Sequence, residues 1–245
     1  MNERLKQIID DSTAIVLLSG AGISCGSGIP DFRSANGLYS QKTNAKYSPE
    51  EIISHDVLYD DSATFYEFYK SKMVYPNAKP NTAHLFFAEL EREGKLIAVV
   101  TQNIDGLHQK AGSKIVYELH GSVEKNYCTV CRKKFGLGYV MKQNGIPKCD
   151  ECGGMVRPDV VMYGEPLDDN VWNNAIDAIK KADCLIVAGT SLTVYPAAYL
   201  VKFFSGKHLV LINKQNTPYD GDAELVLHED IEEVIKETNK AGNGK

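Results

Sequence analysis

Two groups of side chains have types and spacing that could do chemistry. The first lies between Thr101 and Gly121, TQNIDGLHQKAGSKIVYELHG, where Gln102, Asn103, Asp105 and His108 follow one apolar run and His120-Gly121 closes another. Amides, a carboxylate and an imidazole in one short stretch can hold a polar substrate and move a proton, because an unperturbed imidazole titrates near working pH. Asn and Asp are also ordinary turn residues, so the stretch read alone also fits a turn that caps its own backbone. The second group is Cys128-x-x-Cys131 and Cys149-x-x-Cys152, with seventeen residues between the pairs. Two such pairs present four thiolates to one ion and leave no open position, so the spacing predicts one structural zinc; a redox pair is the alternative.

These groups need elements to hold them. The runs 14–18, 96–100, 184–188 and 208–212 are short, continuous and apolar, the pattern of buried strands, and 115–119 is a further apolar run read as a strand. Residues 224–227 predict a last short strand. Helical spacing covers Leu5, Ile8 and Ile9 as far as Asp10-Asp11, then 48–75 with Pro49 near a start, and Thr82 to a stop at Gly94. It returns over 167–182, from Pro196 to Phe204, and from an Asp230 cap to Glu237, with a frayed tail from Asn239. Strand–helix–strand alternation predicts an α/β fold with a parallel, doubly wound sheet. Polar or glycine-rich residues follow the strands ending at Leu18, Val100, Ala188 and Ile212, so four loops converge on one crevice, where open α/β sheets bind ligands.

The first of those loops is Ser19-Gly20-Ala21-Gly22-Ile23-Ser24-Cys25-Gly26-Ser27-Gly28. A strand flowing into a glycine-rich turn lets backbone N–H groups approach a phosphate, with a helix N-terminus behind them; a plain tight turn is the other reading. Cys25 takes the place of the third glycine of G-x-G-x-x-G, and the usual ribose-holding acid about twenty positions on is missing. Ile29-Pro30-Asp31-Phe32-Arg33-Ser34 then sets an acid, an aromatic and a guanidinium side by side, suited to anion recognition and to covering a planar ring. The aromatic helix Phe65-Tyr66-Glu67-Phe68-Tyr69 reads as packing. Arg132-Lys133-Lys134 reads as a solvated face.

A chain of 245 residues with 43% hydrophobic and 24% charged residues can build one large domain or one domain with an insertion. The net charge of −5 gives no support to nucleic-acid binding. No run reaches the length of a membrane span and Met1-Asn2-Glu3-Arg4 is not a signal peptide, so a cytoplasmic protein is expected.

In this order, Gly20-Ala21-Gly22-Ile23-Ser24, Gly28-Ile29-Pro30-Asp31-Phe32-Arg33, Thr101-Gln102-Asn103-Ile104-Asp105, His120-Gly121, the two Cys-x-x-Cys pairs and Gly189-Thr190-Ser191 resemble the sirtuins over nearly the whole chain. The resemblance implies an NAD-dependent protein lysine deacetylase, with a Rossmann-type large domain (1–122 and 158–245) and a smaller inserted zinc-binding lobe (123–157), to which the helical segment 35–78 adds. It implies that NAD is a co-substrate whose nicotinamide–ribose bond breaks, which agrees with the missing ribose-holding acid. By the same resemblance His120 is the base, Asn103 orients the ribose and the attacking groups, and Phe32, Ile104 and Asp105 enclose the nicotinamide. Ala21, Cys25, Arg33, Gln102, Thr190, Ser191, Asn213 and Asp230 match further cofactor positions, and Val161, Gly164, Glu165 and Val194 match edges between which an acetyl-lysine peptide adds as a strand. A monomer with no membrane or nucleic-acid partner is expected.

Two departures qualify the match. Relatives that favour acidic acyl groups carry Tyr-x-x-Arg in the aromatic helix, whereas Tyr66 here is followed by Tyr69, which predicts a preference for neutral acyl groups. Met162-Tyr163 stands where an aromatic pair is frequent. The competing functions are protein mono-ADP-ribosyl transfer and a non-enzymatic zinc-ribbon adaptor; the loaded strand ends and the His120 position favour deacetylation.

Overall fold

The computed structural model describes residues 2–32, 37–40 and 46–240. Six strands form a wholly parallel sheet: β1 (Ile15–Ser19), β2 (Leu96–Thr101), β3 (Val116–Glu118) and, after an excursion, the three that follow the small lobe. The excursion is an antiparallel sheet of β4 (Gly121–Cys128), β5 (Lys134–Gly136) and β6 (Val156–Val160), ordered β5-β4-β6. The main sheet resumes with β7 (Cys184–Ala188), β8 (His208–Ile212) and β9 (Leu225–Leu227), and its order is β3-β2-β1-β7-β8-β9. Discounting the excursion, this is the Rossmann order 3-2-1-4-5-6, whose direction reverses beside β1.

The main sheet forms because its strands have two buried faces. In β1, Ile15 and Leu17 join one core with α1 (Glu3–Asp11), α5 (Thr82–Arg92) and α9 (Ile231–Lys240), while Val16 and Leu18 join another with α8 (Asp169–Lys181) and a 3₁₀ helix over Ala197–Phe203. Alternate side chains of a strand point to opposite faces, so a continuous apolar run serves both cores. The 48–75 expectation resolves into α2 (Pro49–Ile52), α3 (His55–Asp60), α4 (Ser62–Phe68) and a single π-helical turn over Tyr69–Met73. Asp61 ends α3 and caps the first turn of α4, which breaks what the pattern shows as one helix. Buried Val57, Leu58, Phe65, Tyr66 and Tyr69 pack against Val123, Leu137, Val160 and Met162 of the small-lobe region. Two short helices complete the chain: α6 (Leu107–Ala111) connects β2 to β3 and packs on α5, and α7 (Leu137–Lys142) follows β5 and packs on β4 and β5.

Two expectations change. The last helix, α9, runs past the expected end at Glu237 to Lys240, with Val234 and Ile235 on the core, and the rest of the tail, 241–245, lies outside the described residues. The glycine-rich turn opens a seven-residue 3₁₀ helix, Ala21–Ser27, in place of a regular helix N-terminus. The N–H groups of Gly20 and Gly22 are bonded to the carbonyls of Ala188 (3.1 Å) and Gly189 (2.8 Å). A Cβ on Gly22 would lie 2.7 Å from Gly189 Cα, so these glycines also admit a neighbouring backbone.

Candidate active site

The carboxyl ends of β1, β2, β7 and β8 open into one crevice of about 560 Å³, within the range of ligand sites. Ala21, Cys25, Phe32, Gln102, Asn103, Ile104, Asp105, His120, Thr190, Ser191, Asn213 and Asp230 line it, together with Val161, Gly164, Glu165 and Val194. Arg33 lies outside the described residues. The parallel register explains the convergence: Ser19 pairs with both Thr101 and Ala188, and Ala188 pairs with Ile212, so the four strands end level.

Asn103 and Asp105 are held by a residue that the sequence reading did not single out. Ser24 Oγ donates to Asp105 Oδ2 (2.7 Å) and accepts from Asn103 Nδ2 (3.1 Å). Asp105 Oδ1 also accepts the Leu107 N–H (2.8 Å). Burial raises the Asp105 carboxyl above its ordinary range, and these two donors pull it back. Spacing gave no signal for Ser24, since 81 residues separate it from Asp105 and only the pairing of β1 with β2 brings them together.

His120 sits just before β4. Its Nδ1 lies 2.9 Å from the Gln102 carbonyl. A carbonyl only accepts, so Nδ1 carries the hydrogen and Nε2 is left as the basic nitrogen. Burial lowers the imidazole below its ordinary value, with the Gln102 bond opposing, so the ring is neutral at pH 7. Behind this layer, Ser19 Oγ donates to Thr101 Oγ1 (2.9 Å), which also accepts the Asn103 N–H (3.1 Å). His108 touches Ser19 from below at 3.0 Å and is buried, so it does not line the crevice with its neighbours in sequence.

The far side of the crevice accommodates less than its sequence suggests. In the 161–165 segment, Val161 N–H bonds to the His120 carbonyl (3.0 Å), Tyr163 N–H to Ile53 (3.1 Å) and Glu165 N–H to Met162 (3.0 Å). The Glu165 carboxylate is engaged by Arg157 and by the Met162 N–H, so any peptide contact there is through backbone. Tyr66 is fully buried and donates to the Val156 carbonyl (2.6 Å), and Tyr69 is buried beside it; neither lines the crevice. The π-helical turn carries Lys72 and Met73 to the crevice instead, and Tyr39 meets Tyr163 hydroxyl to hydroxyl at 3.0 Å across its mouth. Lys72, Met73 and Tyr39 were not anticipated as site residues, whereas Tyr163 belongs to the 161–165 segment that was.

The remaining polar groups suit a dinucleotide. Gln102 Nε2 donates to Thr190 Oγ1 (3.1 Å), Ser191 and Thr193 share a hydrogen bond (2.8 Å), and Asp230 pairs with Lys214 (2.8 Å). Hydroxyls, amides and a carboxylate around an elongated crevice match the hydroxyl and amide groups of NAD.

Away from the crevice, the sulfurs of Cys128, Cys131, Cys149 and Cys152 all lie within 4.8 Å of one another, and none is in a disulfide. The closest pairs, Cys128–Cys152 at 3.4 Å and Cys131–Cys149 at 3.6 Å, approach the roughly 3.8 Å edge of a tetrahedron with about 2.3 Å Zn–S bonds. The Val130 N–H points at Cys128 Sγ (3.4 Å), and a Cβ on Gly154 would come within 3.0 Å of that sulfur. The donor set fits zinc, which when bound cross-links the lobe and has no open position for substrate.

The model of the Sir2 family matches residues 20–196. An NAD-dependent protein deacetylase of Clostridium perfringens is 56% identical over 233 residues, covering 95% of this chain and 96% of its own. One of Cutibacterium acnes with the same description is 48% identical over 239 residues, covering 98% of each. A solved Sir2 structure with a p53 peptide and NAD+ superposes with a TM-score of 0.85 at 40% identity, covering 100% of this chain and 99% of that one. A Sir2 with a deacetylated p53 peptide and 3'-O-acetyl ADP ribose gives a TM-score of 0.90 at 41% identity, covering 98% of each.

Proposed function

The chain belongs to the Sir2 family, and on that premise we infer that its crevice carries out NAD-dependent protein deacetylation and that the residues divide the work as follows. When bound, NAD supplies a ribose–nicotinamide bond whose cleavage exposes an anomeric carbon to the acyl oxygen of an acetylated lysine. His120, neutral and with Nε2 unprotonated, takes a proton from a ribose hydroxyl. Asn103 orients the reacting groups, and Asp105 holds the carboxamide. Ser24 keeps these two side chains in fixed relation, which supplies part of the geometry that a catalyst must otherwise gain from substrate binding. Phe32, tilted against Tyr39 with ring centroids 5.4 Å apart, covers the sugar face with Ile104 on the opposite wall. Ala21, Cys25, Gln102, Thr190, Ser191, Asn213 and Asp230 hold the rest of the cofactor. Val161, Gly164 and Val194 receive the peptide as a strand, with Glu165 joining through its backbone.

The observation that carries the base assignment is the His120–Gln102 hydrogen bond, because it selects the tautomer that can accept a proton. The test is mass analysis after incubating acetyl-lysine peptide with NAD. Deacetylation yields free lysine, nicotinamide and acetylated ADP-ribose; a protein heavier by one ADP-ribosyl group would mean transferase activity, and no turnover an adaptor. We further propose a preference for neutral acyl groups, supported by Tyr69 where an arginine would stand. Desuccinylation with a kcat/KM equal to deacetylation would overturn it, and its loss in Lys72→Ala would assign the cation to the crevice-lining lysine. We also propose a cytoplasmic monomer with a small lobe over 123–157, a division supported by the separate antiparallel sheet, whose strands reach back to Gly121 and on to Val160. Among the described residues, no helix is long and apolar enough to cross a membrane.

A further inference from the structure

Arg157 is a buried cation that the proposed chemistry does not use. It sits in β6 with its side chain 7% exposed, and its guanidinium forks onto Glu165: Nη1 to Oε1 at 2.5 Å and Nη2 to Oε2 at 2.9 Å. Nη2 also donates to the Val160 carbonyl (3.0 Å) and Nε to that of Pro158 (3.2 Å). Glu165 Oε2 in turn accepts the Met162 N–H (2.9 Å). One ion pair thus closes the turn from 157 to 165, and the body of that turn is the edge that faces the crevice. A planar fork locks both position and orientation, which a lysine cannot do.

The turn is also tied to the base. Val161 N–H bonds to the His120 carbonyl, and Gly121 pairs with Val160 so closely that a Cβ on Gly121 would fall 2.0 Å from the Asp159 carbonyl oxygen. Behind Arg157, the Tyr127 ring lies 5.6 Å from its guanidinium and 4.2 Å from that of Arg132, the residue after Cys131. The small lobe therefore contacts the crevice edge through a continuous set of packed groups, ending in a carboxylate.

We propose that Arg157 is a positioning residue: through Glu165 it preforms the Val161–Gly164 edge that receives the acetyl-lysine strand, and it acts on peptide binding without acting on cofactor binding. The proposal rests on the reading that this edge holds the peptide. Preforming the edge removes an ordering cost that the peptide would otherwise bear. Among the described residues the Gly164 N–H is the one in 161–165 without a partner, and the clamp sets where it points.

The test compares zinc-loaded parent protein with Arg157→Lys and Glu165→Gln, two shape-preserving changes. Steady-state KM values are measured for acetyl-peptide and NAD, with the peptide Kd by calorimetry. Each variant should raise the peptide KM and Kd roughly tenfold, the equivalent of one good charge-assisted contact, while the NAD KM stays within about twofold. A peptide KM within twofold of parent in both variants overturns the proposal, as does an equal rise in both KM values, which marks a general loosening. Substrate peptides N-methylated at the backbone amides flanking the acetyl-lysine separate this failure from that of the edge reading, and leave the Gly164 turn, at φ +88, intact. An unchanged KM for those peptides means the edge does not hold the peptide as a strand, and the role of Arg157 falls with it.

Discussion

The two sheets are built on opposite economies of burial. Every residue of β1 is buried, and its alternate side chains feed two cores, so the large sheet is held by apolar contact on both faces. In the small sheet, β5 is three residues long with both ends exposed, and the cluster beneath it contains two cysteines among its four fully buried members. The cysteine end of the lobe, with so few apolar side chains around it, cannot offset its chain entropy by burial alone, and four thiolates on one ion take over that task, while the rest of the lobe packs on α3 and α4. The groups of the proposed site divide accordingly. Ser24, Asn103 and Asp105 follow strands of the apolar sheet, the positioning pair Arg157 and Glu165 lies on the cross-linked lobe side, and His120 is at the junction, bonded to Gln102 on one side and Val161 on the other.

This contrast can be broken experimentally. The largest expected effect is at the junction: His120→Ala should lower kcat by roughly 10²- to 10⁴-fold, the usual worth of general base catalysis, with Tm and NAD binding little changed. A variant that deacetylates at the parent rate would remove the base assignment. Metal removal comes next. Structural zinc sites hold about 10 kcal/mol or more of folding free energy, so a strong chelator should unfold the lobe and abolish peptide binding while the circular dichroism of the large sheet and a thermal transition persist. Simultaneous loss of both would show that the sheets fold as one unit.

Smaller effects probe the large sheet itself. Ser24→Ala leaves a buried carboxylate one donor short, a loss of about 1.5–3 kcal/mol and hence roughly 10- to 100-fold in kcat/KM for NAD, with peptide Kd unchanged. An effect on the peptide alone would misplace Ser24. The smallest is a slope in stability against pH. Burial lowers His84 to about 4 and His108 to about 3, from an ordinary value near 6.5. Both are neutral in the folded state, so their contribution is complete above about pH 6.5 and is lost as pH falls toward the folded values. Tm should therefore be flat from pH 7 to 8 and fall below about pH 6.5, with the free energy of unfolding losing at most about 3 kcal/mol through His84. If His108→Gln leaves the slope unchanged, the titration lies elsewhere.

Much of this was legible before any coordinates. The strands over 184–188 and 208–212 occur where their apolar runs stand, because burial on both faces leaves little choice of pattern. The two Cys-x-x-Cys pairs converge as their spacing required. The helical pattern over 48–75 does not show the break at Asp61, because that break is a cap, and caps are brief signals inside a continuing apolar period. The glycine-rich turn carries a second demand that no local pattern records: its glycines also admit the backbone of Gly189.

The division has a physical basis. Sequence alone determined which groups are present and which elements carry them, because local conformation and face of burial follow from neighbours a few positions apart. Tertiary structure decided what those groups are free to do. The His120 tautomer depends on a carbonyl eighteen residues away, the pairing of Asn103 with Asp105 on Ser24, and the withdrawal of the Glu165 carboxylate from the crevice on Arg157. Each is a hydrogen bond whose partner is brought into reach by strand register or by a turn closing on itself, and a linear pattern records neither.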